Sequence, residues 1–89
     1  MKPRYRKAVA IEYQEGDVPR ILLQGALGNA EEMVRIATRF GVPVIEDPSL
    51  TKALFHLPVE TTIPERLYQA LGIVMRKVRQ ILASPSSKL

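Results

Sequence analysis

The sequence lacks several residue types on which specialised proteins depend. It contains no cysteine and no tryptophan, and His56 is its single histidine. Disulfide bonds and thiolate metal sites are therefore excluded. A lone histidine near the end of a predicted helix is more often an exposed side chain than a catalytic one, so His56 gives no basis for an enzyme.

Long apolar runs are also missing. The run at 71–75 is short and contains a glycine, whereas a bilayer-spanning helix needs about 20 apolar residues. The basic stretch 1–7 is not followed by a long apolar region, so we do not expect a secretory signal. Together with the absence of cysteine, this favours a cytoplasmic location.

Aromatic residues are scarce and positive charge is in excess. Aromatic residues make up 6% of the chain, and the formal net charge is +4. Such a charge either keeps the protein soluble or attracts an anionic partner. A small basic nucleic-acid-binding domain therefore remains an alternative function, although few rings are available for base stacking.

The sequence contains no arrangement typical of an enzyme or a cofactor site. Residues 25–28 (GALG) lack the glycine spacing of a phosphate-binding loop. Glu46 and Asp47 are adjacent carboxylates, but neighbouring side chains at the end of a strand point in different directions. We therefore predict no catalytic residue, no cofactor and no metal.

The middle of the chain predicts a helix, a short strand and a second helix. Asn29 and Glu32 have the spacing of a capping box, and Gly41 is placed to end that helix. The β-branched residues of 42–45 predict a buried strand. Asp47, followed by proline, predicts the start of the second helix.

The two ends of the chain complete the predicted domain. Strands are predicted at 7–13 and 20–24, antiparallel and joined by a Gly-, Asp- and Pro-containing loop. A last amphipathic helix is predicted at 64–83, with Gly72 inside it. A glycine in that position costs about 1 kcal/mol relative to alanine, and close packing against a neighbouring element would explain it.

These elements predict a small α/β domain. Its mixed sheet has three or four strands, with about three helices around it. If the strands at 20–24 and 42–45 are parallel neighbours, the crossover across 20–46 should be right-handed. The domain comprises residues 1–83, and the Ser- and Pro-rich residues 84–89 are predicted to be a disordered tail.

Several segments, in order, resemble one protein family. The segments are 8–13 (AVAIEY), 24–26 (QGA), 41–48 (GVPVIEDP) and 63–68 (IPERLY). Their order and spacing are similar to the C-terminal cytoplasmic domain of the flagellar type III export-switch protein FlhB and its injectisome relatives of the YscU family. The resemblance covers roughly residues 7–83.

The resemblance implies a non-enzymatic component of the type III export apparatus. The family domain is a mixed sheet wrapped by helices and lies under the export gate at the cytoplasmic face of the inner membrane. It helps to select exported proteins and switches from rod-and-hook-type to filament-type substrates. The implied partners are export-gate membrane proteins and exported flagellar substrates, with no small-molecule substrate.

One feature of the family is missing from this sequence. Family members cut their own backbone at an Asn-Pro-Thr-His turn before the first strand of this domain. The matching positions are Pro3, Arg4, Tyr5 and Arg6, which include no asparagine and no histidine. We therefore expect no self-cleavage, and the sequence resembles a free-standing form of the fragment that cleavage releases.

The resemblance also implies two contact surfaces. An apolar patch beside the first hairpin loop and the last helix receives export substrates in the family, and its matching positions are Val18, Pro19, Leu71 and Val74. For Leu71 and Val74, a purely structural role in the core is the alternative. A missing strand would leave an open sheet edge, to which a partner of the export gate could add a strand.

Overall fold

The computed structural model describes residues 5–14 and 16–83, so the predicted tail and residues 1–4 lie outside the described residues. Two strands form a hairpin, and helices follow it along the chain. The elements are β1 (Lys7–Glu12), β2 (Arg20–Ala26), α1 (Gly28–Arg39), α2 (Pro48–Phe55), a 3₁₀ turn (Glu65–Leu67) and α3 (Tyr68–Ala83).

The hairpin has the predicted antiparallel arrangement. Its register runs from the pair Lys7 and Ala26 to the pair Glu12 and Arg20, with one irregularity after Ala10. Val9 and Ile11 alternate along β1 and pack against the core, as the period of two predicts.

The predicted third strand at 42–45 is wrong, because no regular structure is assigned to residues 42–47. The Val42 N–H is already bonded to the Ala37 carbonyl at the end of α1. Pro43 has no N–H to give to a neighbouring strand. Val42 is also 54% exposed, which a strand buried inside a sheet would not be. The sheet of the described residues is two-stranded.

A different segment pairs with the outer edge of β2. The Ile21 N–H donates to the Thr61 carbonyl over 2.9 Å, and the Glu60 N–H donates back to the Ile21 carbonyl over 2.6 Å. The Ile63 N–H donates to the Pro19 carbonyl over 2.9 Å. These bonds hold residues 60–63 against the beginning of β2 and so position the chain that leads into α3.

The ends of α1 differ in how well the sequence predicted them. Its N-cap is Leu27, at φ 52° and without a side-chain cap, so the predicted capping box at Asn29 is wrong. The backbone turns at Leu27, before Asn29 is reached, and the Leu27 N–H donates to the Arg6 carbonyl over 2.8 Å. At the other end, Gly41 has φ 76° and the backbone bonds of a Schellman motif, which confirms the predicted stop.

The beginning of α2 is confirmed. The Asp47 carboxylate accepts the Leu50 N–H over 3.1 Å and so caps the first turn. Near the other end, the Gln24 side chain of β2 donates through Nε2 to the carbonyls of Leu54 and Leu57. The hairpin and α2 are thereby joined by hydrogen bonds as well as by apolar contact.

The core lies where β2, α2, the 60–63 segment and α3 meet. Each buried residue of this core exposes less than a tenth of its surface. These residues are Ile21, Leu50, Leu54, Ile63 and Leu71. Leu71 is the single buried residue of α3, so this helix is held to the domain mainly through its N-terminal half.

Candidate docking groove

An open groove runs between the hairpin loop and α3. Its volume is about 460 Å³. One wall comes from the chain between β1 and β2, and consists of Tyr13, Gly16, Asp17, Val18 and Pro19. Val18 is 48% exposed there, whereas Pro19 is buried and accepts the Ile63 N–H described above.

The other wall is one face of α3. It consists of Tyr68, Leu71, Gly72, Met75, Arg76 and Arg79, which recur every three or four residues. That spacing places side chains on the same side of a helix, so the wall is continuous over three turns. It is apolar at its beginning and basic at its end.

Gly72 leaves the groove open at its centre. A Cβ built on Gly72 meets no atom within 4 Å, so the predicted close packing at this glycine is wrong. Gly72 lines the groove instead, and the space its missing side chain leaves belongs to the groove. The helix therefore carries an unfavourable residue that the fold itself does not require.

The structure brings together three of the four predicted patch residues. Val18, Pro19 and Leu71 line the same groove, although they come from two distant parts of the chain. Leu71 is only 4% exposed, so it belongs to the core and also forms part of the groove floor. Val74 lies outside the groove lining and packs against the core, in agreement with the structural alternative.

Sequence reasoning missed most of the helix wall. Tyr68 and Gly72, and Gly72 and Arg76, are each four residues apart, so a helical projection would have placed all three on one face. The basic end of the groove could not have been found from charge alone, since positive residues occur in many other places in the chain.

The positions that match the self-cleavage turn are partly described. Pro3 and Arg4 lie outside the described residues. The Tyr5 N–H donates to the Glu31 carboxylate over 2.6 Å, and its hydroxyl lies 3.4 Å from a carboxylate oxygen of Glu46. The Arg6 carbonyl accepts the Leu27 N–H. These contacts attach the beginning of β1 to α1 and to the chain before α2.

The part of the chain that the structure describes has neither a metal-binding cluster nor a membrane-spanning helix. Among residues 5–14 and 16–83, no group of three or more acidic or histidine side chains is arranged to hold a metal ion. Within the same residues, every helix is too short or too polar to cross a lipid bilayer.

The fold and the groove define a small α/β domain with an open groove between its hairpin loop and α3. The family described as FlhB, HrpN, YscU and SpaS matches residues 5–78 of this chain. The chain belongs to that family, whose members are export-switch proteins of type III secretion.

Individual relatives agree with this assignment. The chain is 33% identical over 85 residues to the uncharacterized protein YlqH of Bacillus subtilis. This match covers 93% of the chain and 91% of YlqH. The chain is 35% identical over 77 residues to the flagellar biosynthetic protein FlhB of Yersinia enterocolitica. That match covers 83% of this chain but only 20% of FlhB.

A solved structure shows the same fold. The crystal structure of the PscU C-terminal domain matches with a TM-score of 0.76 and 32% sequence identity. The match covers 81% of this chain and 95% of the PscU domain. The chain is therefore equivalent in fold to a C-terminal domain of the family.

Proposed function

We propose that this protein is a docking component of the type III export apparatus, and that its groove receives a segment of an exported protein. The observation that carries the proposal is the meeting of Val18, Pro19 and Leu71 in one open groove. In the family these positions match a substrate-receiving patch, and here Val18 is exposed on one wall of the groove, whereas Pro19 and Leu71 are buried residues of its lining.

The groove has the physical properties of a peptide-binding surface. Val18, Tyr13 and Tyr68 are each exposed by more than a third although they carry large apolar side chains. Covering them with apolar side chains of a partner would gain about 25 cal/mol for each Å² removed from water. A groove beside a helix accepts an amphipathic segment whose apolar residues lie on one face.

The proposal also specifies where the protein acts and how it attaches to the export gate. We expect the protein to act at the cytoplasmic face of the inner membrane, through contact with export-gate proteins and without catalysing a reaction. Among the described residues β1 pairs with β2 alone, so its outer edge is available to a strand of such a partner. Selection between rod-and-hook-type and filament-type substrates would follow from which segments fit the groove.

Substitution of a single groove residue tests the proposal. Val18→Asp places a carboxylate on the apolar wall, and we expect about tenfold weaker binding of a purified hook-type flagellar export substrate of the same organism. Val59→Asp is a matched control, since Val59 is 47% exposed and lies outside the groove. Binding is measured by biolayer interferometry, and thermal unfolding shows that both variants remain folded.

Two results would contradict the proposal. Equal substrate binding by the Val18 and Val59 variants would exclude the groove as the docking surface. Failure of the wild-type protein to co-purify with any export-gate component, while an unrelated control bait succeeds, would exclude the proposed location.

A further inference from the structure

The two arginines at the end of the groove, Arg76 and Arg79, pair with no carboxylate of the described residues. Within the described residues, neither Arg76 nor Arg79 takes part in an ion pair. Arg20 and Arg35 behave differently, since Arg20 lies 4.0 Å from the Glu12 carboxylate and Arg35 pairs with Glu32. The basic end of the groove is thus not neutralised by its own helix.

The helix dipole does not account for these arginines. Positive charge stabilises a helix through its dipole mainly within the last turn. No basic residue occupies the last turn of α3, and both arginines precede it. The single carboxylate among the described groove residues is Asp17, on the opposite wall. Among the described groove residues, two guanidinium groups are therefore set against one carboxylate, an excess of positive charge.

The chemical character of the groove changes along its length, from apolar to basic. Leu71, Gly72 and Met75 form its apolar part, and Arg76 and Arg79 follow them on the same face of α3. From Tyr68 to Arg79 the helix extends about 16 Å, which is the length of about three helical turns. A ligand that contacts the whole wall therefore meets an apolar surface first and a basic surface after it.

We propose that the groove selects segments in which aspartate or glutamate lies beside the apolar anchor residues. This inference rests on the proposed function, because it specifies which segments of exported proteins are bound. The apolar residues of the segment cover Gly72 and Met75, and its carboxylates pair with Arg76 and Arg79. Bidentate hydrogen bonding between guanidinium and carboxylate groups gives such a pair its geometric selectivity.

A peptide array tests this selectivity. The array carries overlapping segments of about 16 residues, a little over four helical turns, from the organism's rod and hook proteins. Each segment is also present with every Asp and Glu replaced by Asn and Gln. The labelled wild-type protein should bind acidic segments about fivefold more tightly than their amide counterparts, since two partly exposed ion pairs contribute modestly. Fluorescence anisotropy on the strongest pairs measures the ratio, which should decrease at about 0.5 M salt.

Two double variants with equal loss of charge identify the source of the preference. Arg76→Gln with Arg79→Gln should bind acidic and amide segments equally. Arg66→Gln with Lys77→Gln should keep the fivefold preference, because both residues are exposed and lie outside the groove. All four substitutions affect exposed side chains, so folding should be unchanged, as circular dichroism can verify.

The possible failures can be distinguished. Equal wild-type binding of acidic and amide segments, both lost with Val18→Asp, would overturn the charge selection and leave the groove in place. A preference that survives in the Arg76 and Arg79 double variant would also overturn it. Binding that Val18→Asp does not affect, or no bound segment at all, would overturn both the proposed function and this inference.

Discussion

A Cβ added to Gly25 would lie 2.7 Å from Sδ of Met33, which places α1 in direct contact with β2 at this point. The same Cβ would come within 3.2 Å of the backbone carbon of Asn29. Gly25 is buried, and the first turns of α1 cross the end of the strand directly above it. The close approach of helix and strand therefore depends on a residue without a side chain.

Gly25→Ala should destabilise the domain by about 1–3 kcal/mol, because the extra methyl group has to displace Met33 and the beginning of α1. Urea unfolding followed by circular dichroism measures the change. Gly28→Ala is the control, since a Cβ there meets nothing within 4 Å. Equal stability of the two variants would show that α1 does not contact the strand closely.

Gln24→Ala should cost about 1–3 kcal/mol of folding free energy. The substitution leaves the carbonyls of Leu54 and Leu57 without the side-chain donor that joins them to β2. Gln69→Ala, at an exposed position of α3, should change the stability by less than about 0.5 kcal/mol. A Gln24 variant as stable as the Gln69 variant would mean that water replaces these bonds without loss.

Gly72→Ala should affect stability and binding in opposite directions. Alanine raises helix propensity, so the unfolding free energy should increase by up to about 1 kcal/mol. Its methyl group projects into the groove, so affinity for the export substrate should decrease. The two quantities are measured by urea unfolding and by biolayer interferometry on the same preparation. A variant that is more stable and binds equally well would show that the open space at Gly72 has no role in docking.

The outer edge of β1 should become protected when an export-gate partner binds. Strand addition gives backbone N–H groups new acceptors and slows their exchange with solvent. Hydrogen-exchange mass spectrometry of the protein with and without the partner measures this for the peptide that contains β1. Protection confined to α3, with β1 unchanged, would mean that the partner does not add a strand.

We expect the protein to bind nucleic acid only weakly. Non-specific binders typically have Kd values of about 10⁻⁴ to 10⁻⁶ M at physiological salt, and their affinity decreases steeply as salt is added. We expect single-stranded RNA and duplex DNA to bind more weakly than about 10⁻⁴ M in an anisotropy titration at physiological salt. Micromolar binding with a steep salt dependence would instead favour the nucleic-acid-binding alternative.

The local features that the sequence predicted correctly have causes within a few residues. The capping of α2 by Asp47 and the stop of α1 at Gly41 depend on one side chain and one backbone angle. The hairpin follows from alternation and loop composition. The incorrect third strand shows the limit of this reasoning, since an apolar run such as 42–45 forms a strand only if a neighbouring strand offers free N–H and carbonyl groups.

By itself, the sequence determined the helices, the antiparallel hairpin and the family, because propensity, capping and short motifs act between neighbouring residues. Only the tertiary structure decided which segment pairs with β2 and which residues form the groove. Val18 and Arg76 are far apart in the chain, and they line one surface because the buried contacts of Ile21, Ile63 and Leu71 bring the hairpin and α3 together. Such contacts depend on the packing of the whole core, which no short stretch of sequence specifies.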